Sequence, residues 1–330
     1  MKYQESDVSI LIPTYKPASY LRTAIESALS TSAGEIIVSI NDAINYPADN
    51  YLEGFSDERL KIVRQTQQLG PWGNHLALLL LSTKPWIKFL HDDDKIMPSF
   101  LKTMVAYADE QVSVVASLEL CQDIKTGLVH LGFQLKEPRR WDSNDYMKRI
   151  LVVGNELSCP SFPLFRRDAI DFSPRAWLNA MNCDFACNVI AASRGDVVLL
   201  PPGGIISGDH ENRGSKTQGL AMFISSLIST TNYLERQSDQ RVAKAGRIYG
   251  CVGYLGLFRV IIGAIRRGNI GAAQYLGTAL LYSVKYTMKT LLSSEKDWHY
   301  IKNAYFWKYN FSRKYGVRAG RDIGGYNFDE

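Results

Sequence analysis

Cysteine is scarce and poorly placed for a structural role. The 330-residue chain has five (Cys121, Cys159, Cys183, Cys187, Cys251), an odd number without CxxC spacing. That argues against a disulfide framework or a structural zinc site and for a reducing compartment. The start, MKYQESDVSI, has no apolar leader, so the expected location is cytoplasmic. No glycine occupies PTYKPASY, the stretch after the first strand-like run, so the phosphate loop of a sugar-phosphate nucleotidyltransferase is missing. No GxGxxG follows any strand, which disfavours a dinucleotide oxidoreductase. The apolar stretch YGCVGYLGLFRVIIGAI is broken by Arg259 and falls short of the about 20 apolar residues of a spanning helix. It is expected to be a buried helix of a C-terminal bundle. There is no internal repeat and no low-complexity tract.

What is present is an ordinary globular composition, 46% hydrophobic and 22% charged. The length suits one large domain or two modest ones. The net charge of +5 conceals an asymmetry. Residues 241–330 hold 15 Lys and Arg against 5 Asp and Glu, whereas residues 1–240 hold 23 against 28. An acidic front and a basic back point to two regions with different tasks.

Apolar runs and helical periodicity alternate through the first third. VSILIP (Val8–Pro13), EIIVSI (Glu35–Ile40), RLKIV (Arg59–Val63), WIKFLH and VSVVASLEL read as strands; the stretches near 17–30, 73–82 and 99–110 read as helices. The alternation predicts parallel strands joined by right-handed crossovers, with ligands beyond the carboxyl ends. Pro13-Thr14, Asn41-Asp42 and an aspartate cluster all fall at such ends. Further on, GLVHLGFQL predicts a hairpin strand, LSCPSFPLFRR an extended stretch, CDFACNVIAASRG a helix and DVVLLP a strand. Three apolar helices are expected near 219–236, 242–267 and 270–292.

The cluster itself is the sharpest feature. In WIKFLHDDDKIMP, Asp92, Asp93 and Asp94 follow His91 at a strand end. Adjacent carboxylates repel, and a hard divalent cation such as Mn²⁺ or Mg²⁺ offsets that repulsion while leaving positions open for a diphosphate. The residues alone leave a second reading open, a solvated Asp-rich turn ahead of the helix after Pro98.

The ordered set VSILIPTYKPASYLRTAIESAL, EIIVSIND, LGPWGNHLALLLL and WIKFLHDDDKIMP resembles the family-2 glycosyltransferases of GT-A fold, over about residues 7–215. The resemblance implies a GT-A-type, Rossmann-like, mostly parallel sheet flanked by helices in residues 1–215, with a nucleotide-binding half to about 110 and an acceptor half from 111. A C-terminal helical region, 216–330, follows. It implies transfer of a sugar from a nucleotide-diphosphate donor, a UDP-sugar first, to a glycan or lipid-linked glycan hydroxyl with inversion. Pro13, Thr14, Tyr15 and Asp42 would line the nucleotide. Asp92 would face the donor, and Asp93 with Asp94 would hold the cation. His91 stands where relatives have the first aspartate, and Ile40-Asn41-Asp42-Ala43 where they often read D-D-G-S.

The same resemblance places the general base at Asp184, with Cys183 in place of the usual polar neighbour. An attacking alcohol must lose a proton, and a fixed carboxylate can take it. By itself Asp184 reads as a helix cap. In ISGDHENRGSKT, His210 would complete the metal shell, and Arg213 and Lys216 would neutralise the leaving diphosphate. His75, His130 and His299 carry no such pattern and read as structural. The competing reading is a non-catalytic nucleotide-sugar-binding or assembly subunit. In the C-terminal region, WHYIKNAYFWKYNF interleaves bases with aromatics, which suits an anionic membrane surface or plain packing; no base-reading motif points to nucleic acid.

Overall fold

The run VSILIPTY forms strand β1 (Val8–Tyr15), buried at every residue but the last. An unbroken apolar run suits a strand covered on both faces. The computed structural model describes residues 3–123, 129–131, 133–171, 173, 183–209, 220–266, 268, 270–293, 295–306 and 321–322. After β1 come α1 (Ser19–Leu29), β2 (Glu35–Asn41), the single turn α2 (Asp49–Leu52), β3 (Leu60–Arg64), α3 (Gly70–Leu81) and β4 (Trp86–Phe89). There follow β5 (Lys95–Ile96), α4 (Phe100–Ala106), β6 (Val112–Ser117), β7 (Leu120–Asp123), β8 (Val129–Leu131), β9 (Phe133–Gln134) and β10 (Arg139–Trp141). The chain continues through α5 (Ser143–Val153), β11 (Pro163–Arg166), α6 (Cys183–Ser193), β12 (Asp196–Leu200) and β13 (Ile205–Asp209). It then runs through the helices α7 (Leu220–Glu235), α8 (Gln240–Arg266), α9 (Leu276–Ser293) and α10 (Glu295–Phe306).

Eight strands form one sheet in the order β10-β12-β6-β11-β4-β1-β2-β3. β1 to β4 run parallel to their neighbours among themselves, as do β6 and β12. The expectation of parallel pairing fails at β11, which runs antiparallel to both β4 and β6. The cause lies in the loop before it. Ser161 accepts a hydrogen bond from the His91 backbone N–H, just past the end of β4, so the chain enters β11 from the carboxyl end. The VSVVASLEL run also divides: β6 joins the large sheet, while β7 joins a small sheet ordered β5-β13-β7-β8.

α1 buries Leu21, Ala24, Ile25 and Ala28, the spacing of a single apolar stripe. α5 was not among the expected helices. Its cap is nonetheless well formed: Asp142 accepts from the backbone N–H groups of Asn144 and Asp145. The helical C-terminal region packs back on the sheet side, with Phe185 of α6 stacked on Tyr249 of α8 at 4.3 Å. One apolar cluster runs without a break from Leu11 and Phe89 to Tyr254 and Ile301. α8 is longer than the apolar stretch within it, and Gln240–Gly263 has the length and composition to cross a membrane. Because 73% of its apolar window is buried inside the protein, α8 serves as the bundle's core helix.

Between α5 and the following loop, Arg149 and Glu156 form a buried two-pronged ion pair at 2.6 and 2.8 Å, with the guanidinium 4.8 Å over Trp141. Removing one partner strands the other charge in the core. Glu156→Ala is expected to cost about 3–5 kcal/mol in denaturant unfolding, and a loss below about 1 kcal/mol would show that water reaches the pair.

Candidate active site

The carboxyl ends of β1, β2 and β4 meet. Register places Tyr15 beside Asn41, and the Leu90 N–H continues the ladder onto Leu11. At this edge Thr14, itself buried, donates its hydroxyl to Asp92 at 2.5 Å. Asn74, one turn into α3, donates to the carbonyls of Ser39 and Thr14 and accepts from the Ser39 hydroxyl, so it ties β1 to β2 beneath the site. Asn41 accepts from the Leu69 N–H, fixing the start of α3. Asp42 is buried, adopts a left-handed φ of 59° and accepts from the Asn45 amide at 2.8 Å. Such a conformation is uncommon away from glycine and marks a constrained turn. Tyr15 and Tyr46 meet edge to face at 5.2 Å, with the Lys16 ammonium over both rings. Pro13 occupies the third-last paired step of β1, opposite Ser39.

The three aspartates sit in different surroundings. Asp94 is buried and accepts from the Gly208 N–H of β13 at 3.1 Å, with its other oxygen 3.8 Å from His91 Nδ1. Burial, reinforced by the Asp93 charge, pushes the Asp92 carboxyl up to about 8. Burial and the charges of Asp92 and Asp93 also push the Tyr20 hydroxyl of α1 up to about 12. Burial is the larger cause of both shifts, and the neighbouring carboxylates add a smaller part that a cation would relieve.

His75 sets which nitrogen of a neutral His91 carries the proton. His75 Nδ1 lies 2.8 Å from the Pro71 carbonyl, which can only accept, so that nitrogen carries the proton. Burial holds the His75 imidazole neutral, its pKa lowered to about 3. Its Nε2 therefore accepts from His91 Nε2, 3.1 Å away. In the neutral form of His91 the proton is therefore on Nε2, and Nδ1 is the nitrogen that faces Asp94. The Nδ1 or Nε2 of His91, a carboxylate oxygen of Asp94 and Cys159 Sγ include ligand atoms that all lie within 4.8 Å of one another. Carboxylate, imidazole and thiol at that spacing fit a divalent transition ion, with Asp92 and Asp93 alongside.

Asp184 stands in the first turn of α6, where Asn155 donates to it at 3.4 Å. Asn155 accepts in turn from Asn188, and both amides donate to the Ser158 carbonyl. Burial pushes the Asp184 carboxyl up to about 6, against the opposing pull of the Phe185 N–H. The loop 154–162 links this corner to the aspartates. Asn155 and Ser158 serve Asp184, Cys159 approaches His91 and Asp94, and Ser161 holds the His91 backbone. The expected extended stretch LSCPSFPLFRR thus supplies Ser158, Cys159 and Ser161 to the site, and His75, expected to be structural, contacts His91. His210, Arg213 and Lys216 lie outside the described residues, as does residue 182 before α6.

Residues 9–172 match the family model "Glycosyl transferase family 2". Over those residues, just under half of the chain, the resemblance to glycosyl transferase family 2 is shown. A curated relative, the succinoglycan biosynthesis protein ExoO of Rhizobium meliloti (strain 1021), is 26% identical over 111 residues. That match covers 33% of this chain and 32% of ExoO, so the chain spans about a third of its relative's length. Among solved structures, S. aureus TarS 1-349 in complex with UDP-GlcNAc is 12% identical and aligns with a TM-score of 0.52 over 86% of this chain and 92% of its own. The mannosyltransferase PcManGT from Pyrobaculum calidifontis, in complex with GDP-Man and Mn²⁺, is 14% identical with a TM-score of 0.50 over 92% and 87%. At such identities the likeness establishes the fold, a GT-A-type sheet, and nothing finer.

His75→Phe removes the acceptor that sets the His91 tautomer while keeping an aromatic ring against Trp72 and Phe89. Loss of such an outer partner is expected to weaken Mn²⁺ binding about 10-fold or more, measured by the electron paramagnetic resonance of free ion. Unchanged affinity would show that His91 Nδ1 does not bind the ion.

Proposed function

We propose that the chain transfers a sugar from a nucleotide-diphosphate donor to a hydroxyl of a glycan or lipid-linked glycan acceptor, with inversion, in polysaccharide synthesis. The donor of choice is a UDP-sugar. Residues 1–215 would carry both half-sites and 216–330 the helical support. The carrying observation is the convergence of Thr14, Asp92, Asp94 and His91 at one sheet edge, with the loop 154–162 joining that edge to Asp184. TarS in complex with UDP-GlcNAc and PcManGT in complex with GDP-Man and Mn²⁺ support a nucleotide-sugar at this edge.

Asp93, Asp94 and His91 would hold Mn²⁺ or Mg²⁺, with Asp92 facing the donor. When bound, the cation supplies charge neutralisation for the leaving diphosphate. Pro13, Thr14, Tyr15 and Asp42 line the nucleotide; Arg213 and Lys216 would neutralise the leaving diphosphate, and His210 would complete the metal shell. Asp184 takes the proton from the attacking hydroxyl as the bond to the anomeric carbon forms, opposite the departing diphosphate. Asn155 and Asn188 keep that carboxylate in place. A pKa near 6 leaves Asp184 ionised at neutral pH yet more basic than an ordinary aspartate, which is the useful range for a general base.

The alternative is a binding subunit that holds the donor without turnover, favoured by His91 and Cys183 at positions where relatives carry polar or acidic residues. The two readings separate on donor turnover with Mn²⁺. The enzyme reading expects turnover by the wild type and a loss of about 10²–10⁴-fold in Asp184→Asn, with donor affinity retained. A wild type that binds donor but neither transfers nor hydrolyses it would decide for the subunit.

Two pH effects follow from the raised Asp184 pKa. The carboxylate is the active form, so kcat/KM is expected to rise with pH through about 6. Burial disfavours that same form relative to the unfolded chain, so the contribution of Asp184 to stability falls as pH climbs from the ordinary carboxylate range through about 6. Asp184→Asn should therefore melt higher than wild type at pH 7 while losing activity. A variant that melts lower and retains turnover would mark Asp184 as a cap.

A further inference from the structure

Helix α9 has two apolar faces. Ala279, Ser283 and Tyr286 are buried, and Tyr254 of α8 stacks on Tyr282 and Tyr286 at 5.1 and 5.3 Å. On the opposite side Leu280, Val284 and Met288, at i, i+4 and i+8, are 56%, 53% and 52% exposed, and Leu281 beside them 66%. Four of the twelve exposed large hydrophobics among the described residues thus fall within nine residues of one helix. Scattered single exposures need no explanation, but a continuous stripe does.

Cations border that stripe. On the helical wheel Lys285 and Lys289 follow the exposed apolar residues, between them and the buried face. Both line a groove of about 570 Å³ with Asn232 and Glu235 of α7, Arg236 just after it and Arg247 of α8. The single carboxylate is already engaged: Glu235 accepts from Lys289 at 2.9 Å and from the Tyr286 hydroxyl at 3.2 Å. Four cations against one carboxylate leave the groove strongly basic, within a region whose basic residues outnumber acidic ones 15 to 5.

We propose that this face docks on an anionic membrane surface, with α9 lying in the headgroup layer. Leu280, Leu281, Val284 and Met288 enter the acyl boundary, and the groove takes a lipid headgroup phosphate. A protein partner would need its own matched apolar and acidic patches. An anionic bilayer offers apolar and negative chemistry in one plane, which is the requirement of an in-plane amphipathic helix. The contact runs along the surface rather than through it, since the apolar window of α8 is 73% buried inside the bundle.

The test is flotation of the full chain with phosphatidylcholine vesicles, with and without about 30 mol% phosphatidylglycerol, at low and high salt. The expected result is flotation with anionic vesicles only, weakened by salt and reduced at least 10-fold by Val284→Glu and by the double change Arg236→Glu with Lys285→Glu. These positions are exposed, so circular dichroism melts should match wild type, and turnover of soluble donor should be unchanged, which keeps this result separate from the donor-site reading. Equal flotation with neutral vesicles, no flotation by the wild type, or wild-type flotation by Val284→Glu would overturn the proposal. So would a lipid-free dimer that Val284→Glu dissociates, which would assign the stripe to a second copy of the chain.

Discussion

Three carboxylates in a row at the end of a buried strand set the terms for everything around them. Like charges at neighbouring positions cannot all remain ionised without compensation, and the fold treats each one differently. Asp92 takes a hydroxyl from Thr14 and is pushed toward its neutral form. Asp94 takes a backbone N–H from the smaller sheet and lies beside an imidazole. Those contacts draw β1, β4 and β13 to one point, so the repulsion within the cluster is tied directly to the arrangement of both sheets. The same repulsion supplies affinity for a cation, because an ion bound there relieves it.

The second constraint is directional. A short chain of hydrogen bonds, Pro71 to His75 to His91, directs Nε2 of His91 to His75 and leaves Nδ1 on the side of Asp94. The loop 154–162 settles where the backbone of His91 sits and, at its other end, braces Asp184. Because that loop must cross the carboxyl edge of the sheet, the strand that follows it runs backward. The one reversed central strand is therefore a consequence of how the site is assembled.

Much of this was legible in the residues. β1, β2 and β4 are continuous apolar runs, and an apolar run ended by polar residues marks both a buried strand and its exit edge. Thr14, Asp42 and the aspartates were placed at that edge for this reason. α5 escaped notice although Asp142 caps it and Gly154, at φ 81°, ends it. Its apolar residues crowd into the run Ile150–Val153, which reads as a strand as readily as a helix, and the buried Arg149 stands among them. The roles of Asn155, Ser158, Cys159 and Ser161 had no local signature. They arise from partners up to 70 positions away in sequence, which spacing cannot encode. The same holds for His75, whose partner His91 lies 16 residues on.

The central claim concerns the cation, and the most direct measurement is anomalous scattering from a crystal soaked in Mn²⁺ and UDP. The account predicts one strong peak within bonding distance of Asp93 or Asp94 and of His91 Nδ1, with the diphosphate completing its shell. A nucleotide bound at the sheet edge with no ion there, or an ion held by other residues, would contradict it.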